Sequence, residues 1–138
     1  MKNASKLKLC DWALLPVMSL ILASGIQLEV TGGAERWAVW VHIALGLVLM
    51  ALAIWHVYLH YRRSNWFARF SRNRHVATKI LWWLFVVTAL TGIAAMIHWF
   101  DGYSHSPLGG VHGKLGFAMA IVAVLHVVRH FGFYRKSI

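Results

Sequence analysis

Three stretches of this chain, residues 12–28, 37–61 and 80–100, contain no Asp, Glu, Lys or Arg, and a fourth, 108–133, holds only Lys114 and Arg129 near its ends. No other feature limits the fold so strongly. A helix needs ~20 apolar residues to cross the hydrocarbon core of a bilayer, and each run meets or approaches that length. The runs are too long for barrel strands and lack alternating polarity, so helices are expected. Lys114 and Arg129 can extend their heads toward the lipid headgroups. The expected fold is therefore all-α and integral to a membrane: a bundle of four transmembrane helices. All of residues 1–138 form one membrane domain, with no soluble domain or long linker. Lysines before the first run resemble the start of a signal peptide, but that run is longer than a usual signal core and has a counterpart later in the chain. It is expected to be retained.

The formal net charge is +10, which raises the question of nucleic acid. The distribution of charge answers it differently. Lys2, Lys6 and Lys8 precede the first run; Arg62, Arg63, Arg69, Arg72, Arg74 and Lys79 lie around the middle connection; Arg129, Arg135 and Lys136 end the chain. The other two connections hold only Arg36 and Lys114, with Glu29, Glu35 and Asp101. Twelve of 14 cations on one side is a positive-inside pattern, so both termini are expected in the cytoplasm of a bacterial inner membrane. Lipid is an expected partner and nucleic acid is not. The single cysteine, Cys10, precludes an intrachain disulfide, and no C-x-x-C-H is present for covalent haem attachment.

The chain reads as a tandem repeat of a helix pair, residues 10–63 and 77–134, joined by a basic inner link at 64–76 that carries Trp66, Phe67 and Phe70. At an offset of 70, eight of the twenty positions 41–60 are identical to 111–130. The preceding helices match more faintly, Ser24-Gly25-Ile26 against Thr91-Gly92-Ile93. Each copy crosses twice, so the copies share an orientation and are related by an axis along the membrane normal. Pro16 is expected in the first turn of helix 1, where its missing N–H is harmless. Thr31-Gly32-Gly33 and residues 101–107 read as outer turns.

The spacing shared by the two copies is a histidine ladder. His42, His56 and His60 recur as His112, His126 and His130, with Gly46 and Gly116 four residues after the first of each set. Intramembrane histidines are costly without partners and mark functional sites. Fourteen residues advance a helix ~21 Å and bring it about 40° short of four full turns. His42 and His56 thus share one face near opposite sides of the bilayer, as do His112 and His126. Because helices 2 and 4 run parallel, His42 meets His112 at the outer depth and His56 meets His126 at the inner one. This spacing suits two stacked haems, each between facing helices. Two imidazoles per iron fill both axial positions and favour electron transfer over oxygen binding. Zinc or copper fits less well, because no thiolate or carboxylate is expected at either level to complete a site.

Gly46 and Gly116 either make room for a flat macrocycle or allow close helix packing, and Gly25 and Gly92 are read the same way. His60 and His130 lie on the ligand face but ~27 Å from the first histidine, at headgroup depth, so His56 and His126 are preferred as inner ligands. His60 and His130, with Arg62, Arg63 and Arg129, are candidates for haem propionates, a quinone headgroup or water. His98, Trp99, Tyr103 and His105 are candidates for an outer docking or quinone site, with an aromatic belt as the alternative. No catalytic residue set is read.

Four helices with H-x13-H on the second and fourth resemble the di-haem core of the cytochrome b and b561 group. The short chain and the tandem H-x3-G-x9-H-x3-H resemble the flavinylation-associated cytochromes, formerly a domain of unknown function. The resemblance covers nearly the whole chain. It implies two non-covalent b-type haems with His42, His56, His112 and His126 as axial ligands, and a role as electron conduit for an extracytoplasmic flavin-bearing protein. The added His60/His130 pair departs from the simplest four-histidine pattern. The expectation is an electron-transfer component of an oxidoreductase system, with quinone as a further candidate ligand. A superoxide or small-donor:quinone oxidoreductase, and a non-redox membrane anchor, are the alternatives.

Overall fold

In a computed structural model, residues 2–61, 76–102 and 106–130 are described. They form four helices: α1 (Lys2–Thr31), α2 (Arg36–Tyr61), α3 (Val76–Phe100) and α4 (Pro107–Arg129). All four are long and apolar enough to span a membrane, and the protein is an all-α, multi-pass membrane bundle. Large apolar side chains stand exposed on every helix, among them Leu20, Leu47, Leu90 and Leu125. In water such a surface would be untenable; against lipid tails it is the expected exterior. The inner link at 64–76 falls almost wholly outside the described residues, as do Arg62, Arg63, Tyr103 and His105.

The chain folds as two helical hairpins, α1 with α2 and α3 with α4, which meet mainly where α1 packs on α4. Helix association in lipid depends on close packing of small residues rather than on expulsion of water. At Gly46 an added Cβ would lie 3.5 Å from Ile21 Cδ1, and at Gly116 3.9 Å from Thr88 Cγ2. Each of these glycines therefore lies at the seam of its own hairpin. The outer turns follow from local chemistry. Gly32 (φ 61°) and Gly33 (φ 71°) adopt left-handed backbone, and Gly33 N–H donates to Leu28 O at 3.0 Å to close α1. Ser106 caps α4 by accepting from Leu108 N–H, with Pro107 at the first helical position.

One expectation about a boundary is corrected. Pro16 is not in the first turn of α1, because the helix begins at Lys2 and runs through it. The basic segment before the apolar run extends the helix, and a proline inside a membrane helix is tolerated where neighbours satisfy the freed carbonyl. At the other end, α4 stops at Arg129, with His130 as its cap, donating its N–H to His126 O and Val127 O.

Candidate functional site

Only three polar or charged side chains are buried among the described residues: Asp11, Ser24 and Thr88. Each belongs to a residue that touches one of the candidate histidines. This coincidence locates the site better than any cavity does.

At the outer level the His42 and His112 ring centroids lie 6.0 Å apart with their planes at 82°. They face one another across helices that are not themselves closely packed. His42 Nδ1 is 2.8 Å from Ser24 Oγ. The Ser24 hydroxyl can donate to Ile21 O at 2.9 Å, which leaves its lone pairs to accept from His42 Nδ1–H. His112 Nδ1 is 3.0 Å from Thr88 O, a carbonyl that can only accept. His112 is thus protonated at Nδ1 and keeps its lone pair on Nε2, and the same tautomer at His42 fits the Ser24 contact; in this state imidazole can bind a metal.

The two copies use one device in two forms. Thr91, the counterpart of Ser24, donates to Thr88 O at 3.0 Å, as Ser24 does to Ile21 O. His42 engages the hydroxyl of its pair, whereas His112 engages the carbonyl. The glycines beside these hydroxyls admit the rings. A Cβ at Gly25 would stand 3.4 Å from His42 Cε1, and one at Gly92 only 2.8 Å from His112 Cε1. Gly25 and Gly92 therefore make room for the histidines themselves.

At the inner level His56 Nδ1 lies 2.7 Å from Asp11 Oδ1. The approach is off the line of a hydrogen bond, and neither atom has a hydrogen-bond partner elsewhere. The His60 ring is 4.5 Å from that of His56, and the His130 ring 4.7 Å from that of His126. His126 lies within electrostatic range of His56, His60, His130 and Asp11, so the two repeats converge here as well. His42, His56, His112 and His126 are half-buried, whereas His60 and His130 are exposed, as is Arg129.

Asp11 corrects the sequence reading, in which no carboxylate stood at either level. Ligand atoms of Asp11, His56 and His60 lie within 4.8 Å of one another, a group able to hold a metal ion. Its signal was present in the spacing: Asp11 precedes Gly25 by fourteen residues, the same interval that separates His42 from His56. On antiparallel neighbours, equal intervals bring both pairs into register.

The outer candidates engage different neighbours. His98 Nδ1 pairs with Ser106 Oγ at 3.2 Å, while Trp99 packs edge-on against Trp40 at 5.5 Å and meets Phe100 at 5.4 Å. Trp40, Trp99 and Phe100 form an aromatic group at the outer end of α2 and α3, as an interfacial belt does.

No family model, characterised protein or solved structure matches this chain significantly.

Proposed function

We propose that the chain is a b-type di-haem membrane cytochrome that carries electrons across a bacterial inner membrane, or between quinol and an extracytoplasmic acceptor such as a flavin-bearing protein. One observation supports the reading: His42 and His112, the matching histidines of two parallel helices, face each other with ring centroids 6.0 Å apart, each with Nδ1 engaged by a neighbouring helix so that Nε2 can serve as a ligand.

When bound, haem supplies a one-electron couple whose two axial positions are both filled. The chain's residues do the rest. His42 and His112 hold the outer level, oriented by Ser24 and by the Thr88 carbonyl; His56 and His126 hold the inner level. The lipid-facing apolar surface excludes water from both. Both termini and the basic link face the cytoplasm.

The test is haem quantitation and an absorption spectrum on protein purified from cells supplied with haem. Two haems per chain are expected, one lost on changing His42 or His112 to alanine and the other on changing His56 or His126. A colourless protein, or both haems retained after all four changes, refutes the reading. A second reading has one observation in its favour, the Asp11, His56 and His60 group: a non-haem divalent ion at the inner level. Elemental analysis separates the two, since that reading gives one haem iron and one other metal per chain.

A further inference from the structure

The two inner histidines are not equivalent, and the difference lies in what backs them. The register of each hairpin is visible in its contacts. In the first, Gly46 faces Ile21, His42 faces Gly25 and His56 faces Asp11. In the second, Gly116 faces Thr88 and His112 faces Gly92. Continued inward, the second register puts Thr78 opposite His126. The repeat agrees, because the offset that relates Ser24 to Thr91 and Gly25 to Gly92 also relates Asp11 to Thr78. A buried carboxylate thus stands behind one inner imidazole, and a neutral hydroxyl-bearing residue occupies the matching position behind the other.

Asp11 is only 4% exposed. A carboxylate so far from water is expensive unless a donor meets it, and among the described residues the polar atom set against its Oδ1 is His56 Nδ1. The 2.7 Å approach places a carboxylate oxygen against Nδ1, an arrangement that favours a proton on Nδ1 and leaves Nε2 as the ligating nitrogen. His60, one turn further on, is exposed.

From these contacts we infer that Asp11 is a positioning residue that makes His56, rather than His60, the inner ligand, and that its charge holds the inner centre at a lower midpoint potential than a neutral partner would. A negative charge 2.7 Å from the far nitrogen of a ligating imidazole makes it a stronger electron donor, and this stabilises the oxidised metal. Burial keeps the charge unscreened by salt. This inference rests on the proposed di-haem reading and adds to it an asymmetry between the two repeats.

The experiment is a redox titration of the purified full-length protein with Asp11→Asn, Asp11→Glu, Thr78→Asp, His56→Ala and His60→Ala. In Asp11→Asn one of two midpoint potentials rises while the other stays in place, and Asp11→Glu restores it in part. Thr78→Asp, which adds a second carboxylate at the matching position, lowers the potential of the same centre. His56→Ala loses one centre and His60→Ala keeps both. Unchanged potentials in Asp11→Asn, or loss of a centre in His60→Ala with retention in His56→Ala, overturns the inference. Should Asp11→Asn not accumulate, the two histidine variants decide the ligand and Thr78→Asp decides the charge effect. A wild-type protein without haem defeats the di-haem reading instead, which separates the two failures.

Discussion

Gly92 and Gly25 occupy matching places in the two repeats, yet replacing each by alanine is expected to give unequal results. At Gly92 the new Cβ would stand 2.8 Å from His112 Cε1 and 3.1 Å from Nδ1. Carbon atoms in contact settle at ~3.5–4.0 Å, so the ring must retreat by roughly 0.7 Å. It is not free to do so, because Nδ1–H donates to Thr88 O at 3.0 Å. Either that bond breaks or α3 and α4 separate. Overpacking costs about 1–3 kcal/mol and a lost hydrogen bond about 1 kcal/mol, offset by ~1 kcal/mol from alanine's better helix propensity. The net loss is about 1–3 kcal/mol, which under the proposed di-haem function is about a ten- to hundred-fold fall in haem affinity at the outer level at ~1.4 kcal/mol per decade. At Gly25 the new Cβ would lie 3.4 Å from His42 Cε1, close to an ordinary contact, and the propensity gain leaves Gly25→Ala about neutral. Haem titration and thermal unfolding of both variants in detergent provide the comparison. Equal effects, or greater damage from Gly25→Ala, would refute the reasoning.

Two further outcomes follow from the same geometry. Ser24→Ala removes the hydroxyl partner of His42 Nδ1 and, under the proposed di-haem function, should weaken haem retention at the outer level by about ten- to hundred-fold. Thr91→Val removes only a hydroxyl that bonds within its own helix, leaves His112 on the Thr88 carbonyl, and should change retention by less than about three-fold; equal losses in a titration would contradict the proposed tautomers. The charge asymmetry predicts that reporters active only in the cytoplasm will be active when fused to either terminus and silent when inserted in the turn at Gly32-Gly33. Activity at the turn would invert the topology.

Much of the architecture was legible because a single large penalty governs it, that of leaving backbone N–H and C=O groups unpaired in hydrocarbon. Apolar runs long enough to span a bilayer leave helices as the simplest way to satisfy the backbone, and all four appear within a few residues of their expected outer ends. The start of α1 was not legible in the same way, since the lysine-bearing segment before the run lacks the apolar pattern and still forms helix. Periodicity also sufficed to place His42 and His56 on one face of α2, and His112 and His126 on one face of α4. Glycine roles were harder to read. Gly46 and Gly116 sit at hairpin seams, while Gly25 and Gly92 accommodate imidazole rings on the neighbouring helix, and nothing along a single strand of sequence distinguishes these uses.

Composition and spacing alone therefore determined that this chain lives in a membrane as four helices, in two related halves, with histidines at two depths. Which atoms back those histidines was decided only when the helices packed. Asp11 and His56 are separated by 45 positions in the chain but meet at 2.7 Å, and Ser24 and Thr88 address His42 and His112 through different groups. Helical periodicity sets a residue's angle about its own axis. The sliding register between two helices is set by which small side chains let them approach, and that is a property of the assembled pair.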